Sequence, residues 1–335
     1  MAWQGMSVSV PEGPRLKRLK GASSKDPEVK EVSSLRVLKL IISIAFLCVC
    51  TARDTFLFFR SGRRRGYCII LYYHAVAREN RVRFARQMDL LLRWAKPVAA
   101  NRTEICRPGE RCAAVTFDDG LESVVENALP ELERRNIPAT LFIVAQSLGR
   151  PPIWMPASRD SLNAERVISV EQLRKLPSDL VVIGSHSLTH PNLNELELAN
   201  ARREICDSRT QLREILGRDV SLFSFPYGAF SEPLIQCCRD AGYERVFTTL
   251  PTLALNAPGE FVSGRVTVEP TDWPLEFHLK ILGAYRWLPA AFALKRTLKS
   301  ISVRSQDSRL QTESQNDREV EGRRLSEGEG LDGRP

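Results

Sequence analysis

Apolar residues recur along this chain in two rhythms. Short runs bounded by polar or turn residues fall at Cys68-Ile69-Ile70-Leu71-Tyr72-Tyr73, Ala113 to Phe117, Ala139 to Ala145, Leu180 to Gly184, Ser221 to Phe225, Arg245 to Thr249 and Phe261 to Thr267. Each predicts a buried strand. Between them apolar positions recur at helical spacing, as at Phe84, Met88, Leu91 and Leu92. The same holds for Leu121, Val124, Val125, Ala128 and Leu132, and for Leu198, Ala201, Ile205, Leu212, Ile215 and Leu216 in a long helix over about 195–217. Strand alternating with helix predicts an α/β fold with a parallel sheet, either a barrel or an open doubly wound sheet. In both, loops at the carboxyl ends of the strands build the site.

The two ends lack this patterning. From Ser305 to Pro335 there is no aromatic residue and few large apolar ones, so disorder is expected over 301–335. Residues 1–34, with the basic cluster Arg15-Leu16-Lys17-Arg18-Leu19-Lys20, are expected to be a disordered tail. Residues 35–65 are expected to form a hydrophobic and basic helical segment, leaving 66–300 as the folded domain. Leu40 to Ala52 is 13 residues without a charge, short of the roughly 18–20 that cross a bilayer. Three readings stay open for it: a spanning anchor, a cleaved signal, or a helix extended through Phe56-Leu57-Phe58-Phe59 towards Arg63-Arg64-Arg65 that lies on a membrane surface or docks on the domain.

Charge sharpens this division. The 335 residues carry 48 Lys and Arg against 40 Asp and Glu, and residues 1–66 hold 13 of the former and 5 of the latter. The whole basic excess therefore sits in the N-terminal fifth, and the domain has no field that would gather nucleic acid. Eight cysteines, at 48, 50, 68, 106, 112, 206, 237 and 238, form no paired clusters. They read as small core residues and favour a reducing compartment, so of the two sides left open for a membrane-associated chain the cytoplasmic face is favoured. No oligomeric state follows.

Candidate chemistry gathers at three strand ends. Thr116-Phe117 runs into Asp118-Asp119-Gly120, where neighbouring carboxylates point different ways: one can ligate a metal while the other faces water or substrate. A helix cap is the plainer alternative. Leu180 to Gly184 runs into Ser185-His186-Ser187-Leu188-Thr189-His190-Pro191, which holds two of the four histidines at a spacing that lets both share one cation. Two histidines and a carboxylate would leave a coordination position open, as a catalytic centre requires. Ser224-Phe225-Pro226-Tyr227-Gly228 closes a third strand with a tight turn.

Together, Thr116-Phe117-Asp118-Asp119-Gly120, His186-Ser187-x-x-His190 and Phe225-Pro226-Tyr227-Gly228 resemble the polysaccharide deacetylase family (NodB-homology domains, carbohydrate esterase family four) over about 66–290. The resemblance implies a distorted (β/α) barrel of about seven parallel strands, and a divalent cation, expected to be zinc, held by Asp119, His186 and His190. It implies Asp118 as general base and the Tyr227 backbone N–H as oxyanion donor. The reaction implied is removal of an N-acetyl or similar N-acyl group from an amino sugar, oligosaccharide or polysaccharide. A non-sugar amide substrate, or an inactive carbohydrate-binding protein keeping the fold, are the alternatives.

This chain departs from the family pattern twice. The acid that protonates the departing amine commonly sits near the C-terminal end, where His278 lies among Leu275, Phe277, Leu279, Ile281 and Leu282, a packed-helix setting. His74, ending the first strand in Tyr73-His74-Ala75-Val76, resembles the opening of branches in which this strand comes first, and is expected to be the acid. The arginine that orients the base is replaced by Ser224, and Arg265 is a candidate substitute. Glu269-x-x-Asp272-Trp273 echoes a family motif only faintly. In the insertion between Gln146 and Val170, Trp154, within Pro151 to Pro156, is expected either to stack on a sugar ring or to plug the barrel wall.

Overall fold

The structure, a computed structural model, describes residues 27–62, 66–155 and 165–294. The expected C-terminal tail, the first 26 residues, the Arg63–Arg65 cluster and 156–164 lie outside the described residues. Helix α1 (Pro27–Ser61) starts inside the stretch expected to be tail, so the expected boundary at residue 34 falls within a helix. Residues up to Ile42 form one compact unit, and those from Ser43 onward a second that contains the whole sheet.

The sheet strands are β1 (Tyr67–Tyr73), β2 (Lys96–Pro97), β3 (Arg111–Phe117), β4 (Ala139–Ile143), β5 (Val181–Ser185), β6 (Leu222–Ser224), β7 (Arg245–Thr248), β8 (Val262–Gly264) and β9 (Val266–Thr267), all paired in parallel. Their order is β8-β7-β6-β5-β4-β3-β1-β9, with the short β2 beside β3. Only Arg265 separates β8 from β9. The first pairs with β7 and the second with β1, so one interrupted strand joins the two ends of the sheet. Counted this way, and with β2 set aside, the ring has seven strands. It is a barrel rather than an open sheet.

The runs lack the alternation of a half-exposed strand because both faces are covered, one by the barrel interior and the other by helices. Those helices are α2 (Arg81–Trp94), α3 (Leu129–Glu133), α4 (Val170–Lys175), α5 (Leu198–Leu216), α6 (Glu232–Asp240) and α7 (Pro274–Ile281). α5 buries Ala201, Ile205, Ser208 and Leu212, spaced by four, three and four, and ends at Gly217 in the left-handed region. The stripe from Leu121 to Leu132 does not make one helix. A wider π-type turn over Val124–Ala128 precedes the single turn of α3, where Pro130 stands within the first turn. α4 opens with a reciprocal cap, Ser169 and Gln172 each accepting the other's backbone N–H.

Inside the ring, alternate residues form columns. On β1 the column is Cys68, Ile70, Tyr72 and then His74; on β3 it is Cys112, Ala114, Thr116 and then Asp118. Register pairs Cys68 with Cys112 and Tyr72 with Thr116. The lower layers, with Phe142, Leu222 and Phe247, are a closed apolar core. The polar residues emerge together at the carboxyl end.

Candidate active site

A cavity of about 380 Å³ opens at that end, lined among others by Tyr72, His74, Asp118, Asp119, His186 and His190. The turn after β3 separates the paired carboxylates. The Asp118 amide donates to the Tyr73 carbonyl at 2.9 Å, prolonging the ladder, whereas Asp119 takes a φ of 69°. Gly120 also sits at positive φ, and a Cβ there would lie 2.6 Å from the Ile143 Cδ1, so the tight turn needs glycine. Asp119, Ser187, His190 and Tyr227 are four of the six non-glycine residues with positive φ among the described residues. Strain of this kind, roughly 1–3 kcal/mol per residue, is concentrated at the site.

Asp118 faces Arg265, whose side chain is wholly buried between β8 and β9. Nη1 donates to Asp118 Oδ1 at 2.7 Å and Nη2 to Oδ2 at 2.8 Å. Further donors reach Thr116 Oγ1 at 3.2 Å, Ser224 Oγ at 2.7 Å and the Thr248 carbonyl at 3.4 Å. All five guanidinium N–H groups thus find acceptors, which is what a buried arginine requires. Burial alone would push the Asp118 carboxyl up. The Arg265 charge and hydrogen bonds, with smaller help from His186 and His74, outweigh it and hold the group at about 2. Asp118 is a fixed anion.

Asp119 Oδ1 lies 3.3 Å from His190 Nε2 and 3.6 Å from His186 Nε2, and it is buried with no hydrogen-bond partner. The Nδ1–H of His186 donates to the Ser224 carbonyl at 2.8 Å, because a carbonyl only accepts. That fixes the tautomer and leaves a lone pair on Nε2 facing Asp119. Burial lowers His186 to about 4, against the pull of Asp118, so the ring is neutral at pH 7. A carboxylate oxygen and an imidazole lone pair aimed at one point repel unless a cation lies between them. A cation about 2.1 Å from each ligand would hold the ligands about 3.4 Å apart. The three residues fit such an ion, and their ligand atoms lie within 4.8 Å of one another.

The His186–His190 loop is clamped from below. Glu204 on α5 accepts the Leu188 and Thr189 amides at 3.0 and 2.9 Å and the Thr189 hydroxyl at 2.7 Å, and Ser187 Oγ accepts the His190 amide at 3.0 Å. Above, His190 stacks on Trp154 with ring centroids 4.4 Å apart and meets the Tyr227 ring edge-on at 4.8 Å.

The family profile for polysaccharide deacetylase matches residues 106–246. YxkH of Bacillus subtilis, named provisionally as a polysaccharide deacetylase, is 24% identical over 212 residues, 60% of this chain and 71% of its own. Among solved structures, IcaB from Ammonifex degensii is 26% identical, with a TM-score of 0.54 over 67% of this chain and 98% of that one. Residues 106–246 of this chain are similar to the polysaccharide deacetylase family. A more distant relative, the peptidoglycan-N-acetylglucosamine deacetylase of Bacillus cereus, is 23% identical over 42% of this chain and 45% of its own length.

Within the barrel, Asp118, Asp119, His186, His190 and His74 all line one cavity, with Tyr227 at its rim. The Tyr227 ring is 61% exposed. Gly228 and Ala229 donate to the Phe225 and Pro226 carbonyls, which leaves the Tyr227 amide out of the turn's own hydrogen bonds. His74 is partly buried, edge-on to Tyr72 at 5.6 Å. His278 is elsewhere, on α7 against Trp94 at 4.3 Å. Trp154 is partly buried at the cavity and packs on the ring of His190. Glu269 and Asp272 form a turn in which Asp272 accepts the Glu269 amide at 3.1 Å and Lys280 Nζ at 2.6 Å. Ser224, read only as a missing arginine, does two jobs, its carbonyl orienting His186 and its hydroxyl accepting from Arg265. Nothing local signals Glu204, which is one polar position on the flank of a helix stripe.

Proposed function

We propose that this chain is a metal-dependent hydrolase that removes N-acetyl or similar N-acyl groups from an amino sugar within an oligosaccharide or polysaccharide, with zinc as the resident cation. The observation that carries this is the unpartnered Asp119 oxygen beside two imidazole nitrogens, with a second, separately anchored carboxylate next to it. The substrate class follows from the family and from the N-acetylglucosamine units named for the Bacillus cereus relative.

When bound, the cation polarises the amide carbonyl and lowers the pKa of water from about 15.7 towards about 7. Asp118, held as an anion by Arg265, accepts the proton of the attacking water. The free Tyr227 amide donates to the oxyanion, a contribution typically worth about 2.7–4 kcal/mol. His74 protonates the departing amine, so that amide and water become carboxylate and amine. Acetate release from an N-acetylglucosamine oligomer, lost on chelation and restored by zinc, is the test. A folded, zinc-loaded chain releasing none would leave a carbohydrate-binding protein instead. In the same assay Asp118→Asn should keep the cation and lose a factor of about 10²–10⁴ in rate. His74→Gln should lose about 10² while His278→Gln stays near wild type; the reverse order would reassign the acid.

Membrane association through 35–65 is part of this reading. Ser34–Arg60 has a mean hydropathy of 2.1 over its most apolar window and is long enough to cross a bilayer. Within the second unit, Trp287 Nε1 donates to Ser43 Oγ at 3.0 Å and Arg286 lies over the Phe46 ring, while Val49, Phe56 and Phe59 face outward. One face docked and one apolar face free supports surface attachment over spanning. All eight cysteines are free thiols, which favours the cytoplasmic face. Replacing Phe56 and Phe59 by serine should shift the chain from vesicle pellet to supernatant without changing acetate release; unchanged partitioning would refute the attachment.

A further inference from the structure

The closed end of the barrel carries a second cluster of ligand-type side chains that the chemistry at the open end does not use. Cys68 and Cys112 occupy the lowest inward positions of β1 and β3 and are register partners. Cys106, in the loop before β3, packs with both in one buried cluster. All three are buried. The Sγ atoms of Cys106 and Cys112 and a carboxylate oxygen of Glu110 lie within 4.8 Å of one another.

Two cations are aimed at the same atoms. Arg102 Nη1 donates to Cys112 Sγ at 3.6 Å, its Nη2 lies 3.8 Å from Glu110 Oε2, and Lys96 Nζ donates to Glu110 Oε1 at 3.3 Å. An apolar plug has no use for such neighbours. We propose that Cys68, Cys106, Cys112 and Glu110 bind a thiophilic divalent cation, zinc or cadmium, in a closed structural site at the base of the barrel.

Three thiolates and a carboxylate around a divalent ion carry a net charge of minus two, set against Lys96 and against Arg102, which also lies 3.5 Å from Glu104 Oε2. Tetrahedral zinc with sulfur ligands at about 2.3 Å sets them about 3.8 Å apart, so the ligand atoms of Cys106, Cys112 and Glu110, within 4.8 Å of one another, need only a small contraction. The loop supplying Cys106 and Glu110 can provide it. It turns through Arg107, Pro108 and Gly109, with the Arg107 amide donating to Glu110 Oε2 at 2.9 Å, and Arg107 and Gly109 are exposed. Soft ligands select zinc, cadmium or cuprous ions over magnesium or calcium. Four protein ligands leave no open position, so the ion would fasten the 106–110 loop across the base of β1 and β3 rather than take part in hydrolysis.

The test is cadmium titration of the full-length, reduced chain in detergent, reading the sulfur-to-cadmium charge-transfer absorption in the ultraviolet. The band should appear in wild type and equally in Asp119→Ala, which empties the other site. It should vanish in Cys106→Ser and in Cys112→Ser, while both keep acetate release. Glu110→Gln leaves every thiol in place and so guards against misfolding in the cysteine variants; it should keep the band but weaken cadmium affinity at least about tenfold. A folded, reduced wild-type chain without the band overturns the site. So does a band that Cys106→Ser and Cys112→Ser leave intact.

Discussion

Replacing Arg265 by methionine is expected to destabilise the folded chain by about 3–5 kcal/mol, the range for leaving one member of a buried ion pair alone. Methionine fills much of the same volume, so the loss comes from electrostatics rather than from a cavity. Asp118 would remain in the barrel with its two strongest donors gone, and Ser224, Thr116 and Thr248 would each lose a hydrogen bond. The sign of the pH dependence separates this cause from ordinary packing loss. In the wild type the carboxyl sits at about 2, below its unfolded value near 3.8. Its stabilising contribution is therefore complete above about 4 and disappears as pH falls through 2. In the variant, burial without Arg265 pushes the group up, so it takes a proton at higher pH. The deficit should be largest at neutral pH and shrink on acidification. Denaturant midpoints from pH 8 down to 4 would measure this, and a deficit independent of pH would point to packing alone. The double variant Arg265→Met, Asp118→Leu should recover most of the stability and none of the activity, because replacing both members of a buried pair by apolar groups is commonly close to neutral.

Asp119→Ala is expected to abolish acetate release and the response of thermal stability to zinc. In a Cys106→Ser background, where only the open-end site reports, the parent's unfolding midpoint should rise with zinc and fall back with chelator. A ligand present at 100 times its Kd stabilises the native state by about 2.7 kcal/mol. The alanine variant should show no shift. Its ion-free form should be at least as stable as the ion-free parent, since the change removes a buried carboxylate oxygen that has no hydrogen-bond partner and faces the His186 lone pair. A zinc-dependent midpoint surviving in Asp119→Ala would show that the two histidines hold the ion with some other group. An ion-free variant much weaker than its parent would show that Asp119 serves the fold rather than the cation.

The sequence by itself determined the strands, their parallel arrangement and the chemical groups at their carboxyl ends. Each of those signals lies within a few residues of chain: an apolar run sets a strand, and the residues after it are carried to the mouth of the barrel whatever the rest of the fold does. Asp118, Asp119, His186 and His190 were legible for that reason, and so was His74, which ends its strand in the same way, whereas His278 sits inside a helical stripe. Only the tertiary structure decided what those groups meet. Arg265 reaches Asp118 because the last strand breaks at that residue and spans the gap between β7 and β1. Barrel closure depends on the summed twist and register of all seven strands, which no local pattern encodes. The same closure aims Ser224 at both His186 and Arg265, and packing of α5 brings Glu204 under the histidine loop. It also gathers Cys68, Cys106 and Cys112, which look unrelated along the chain but become neighbours once β1 and β3 pair in register.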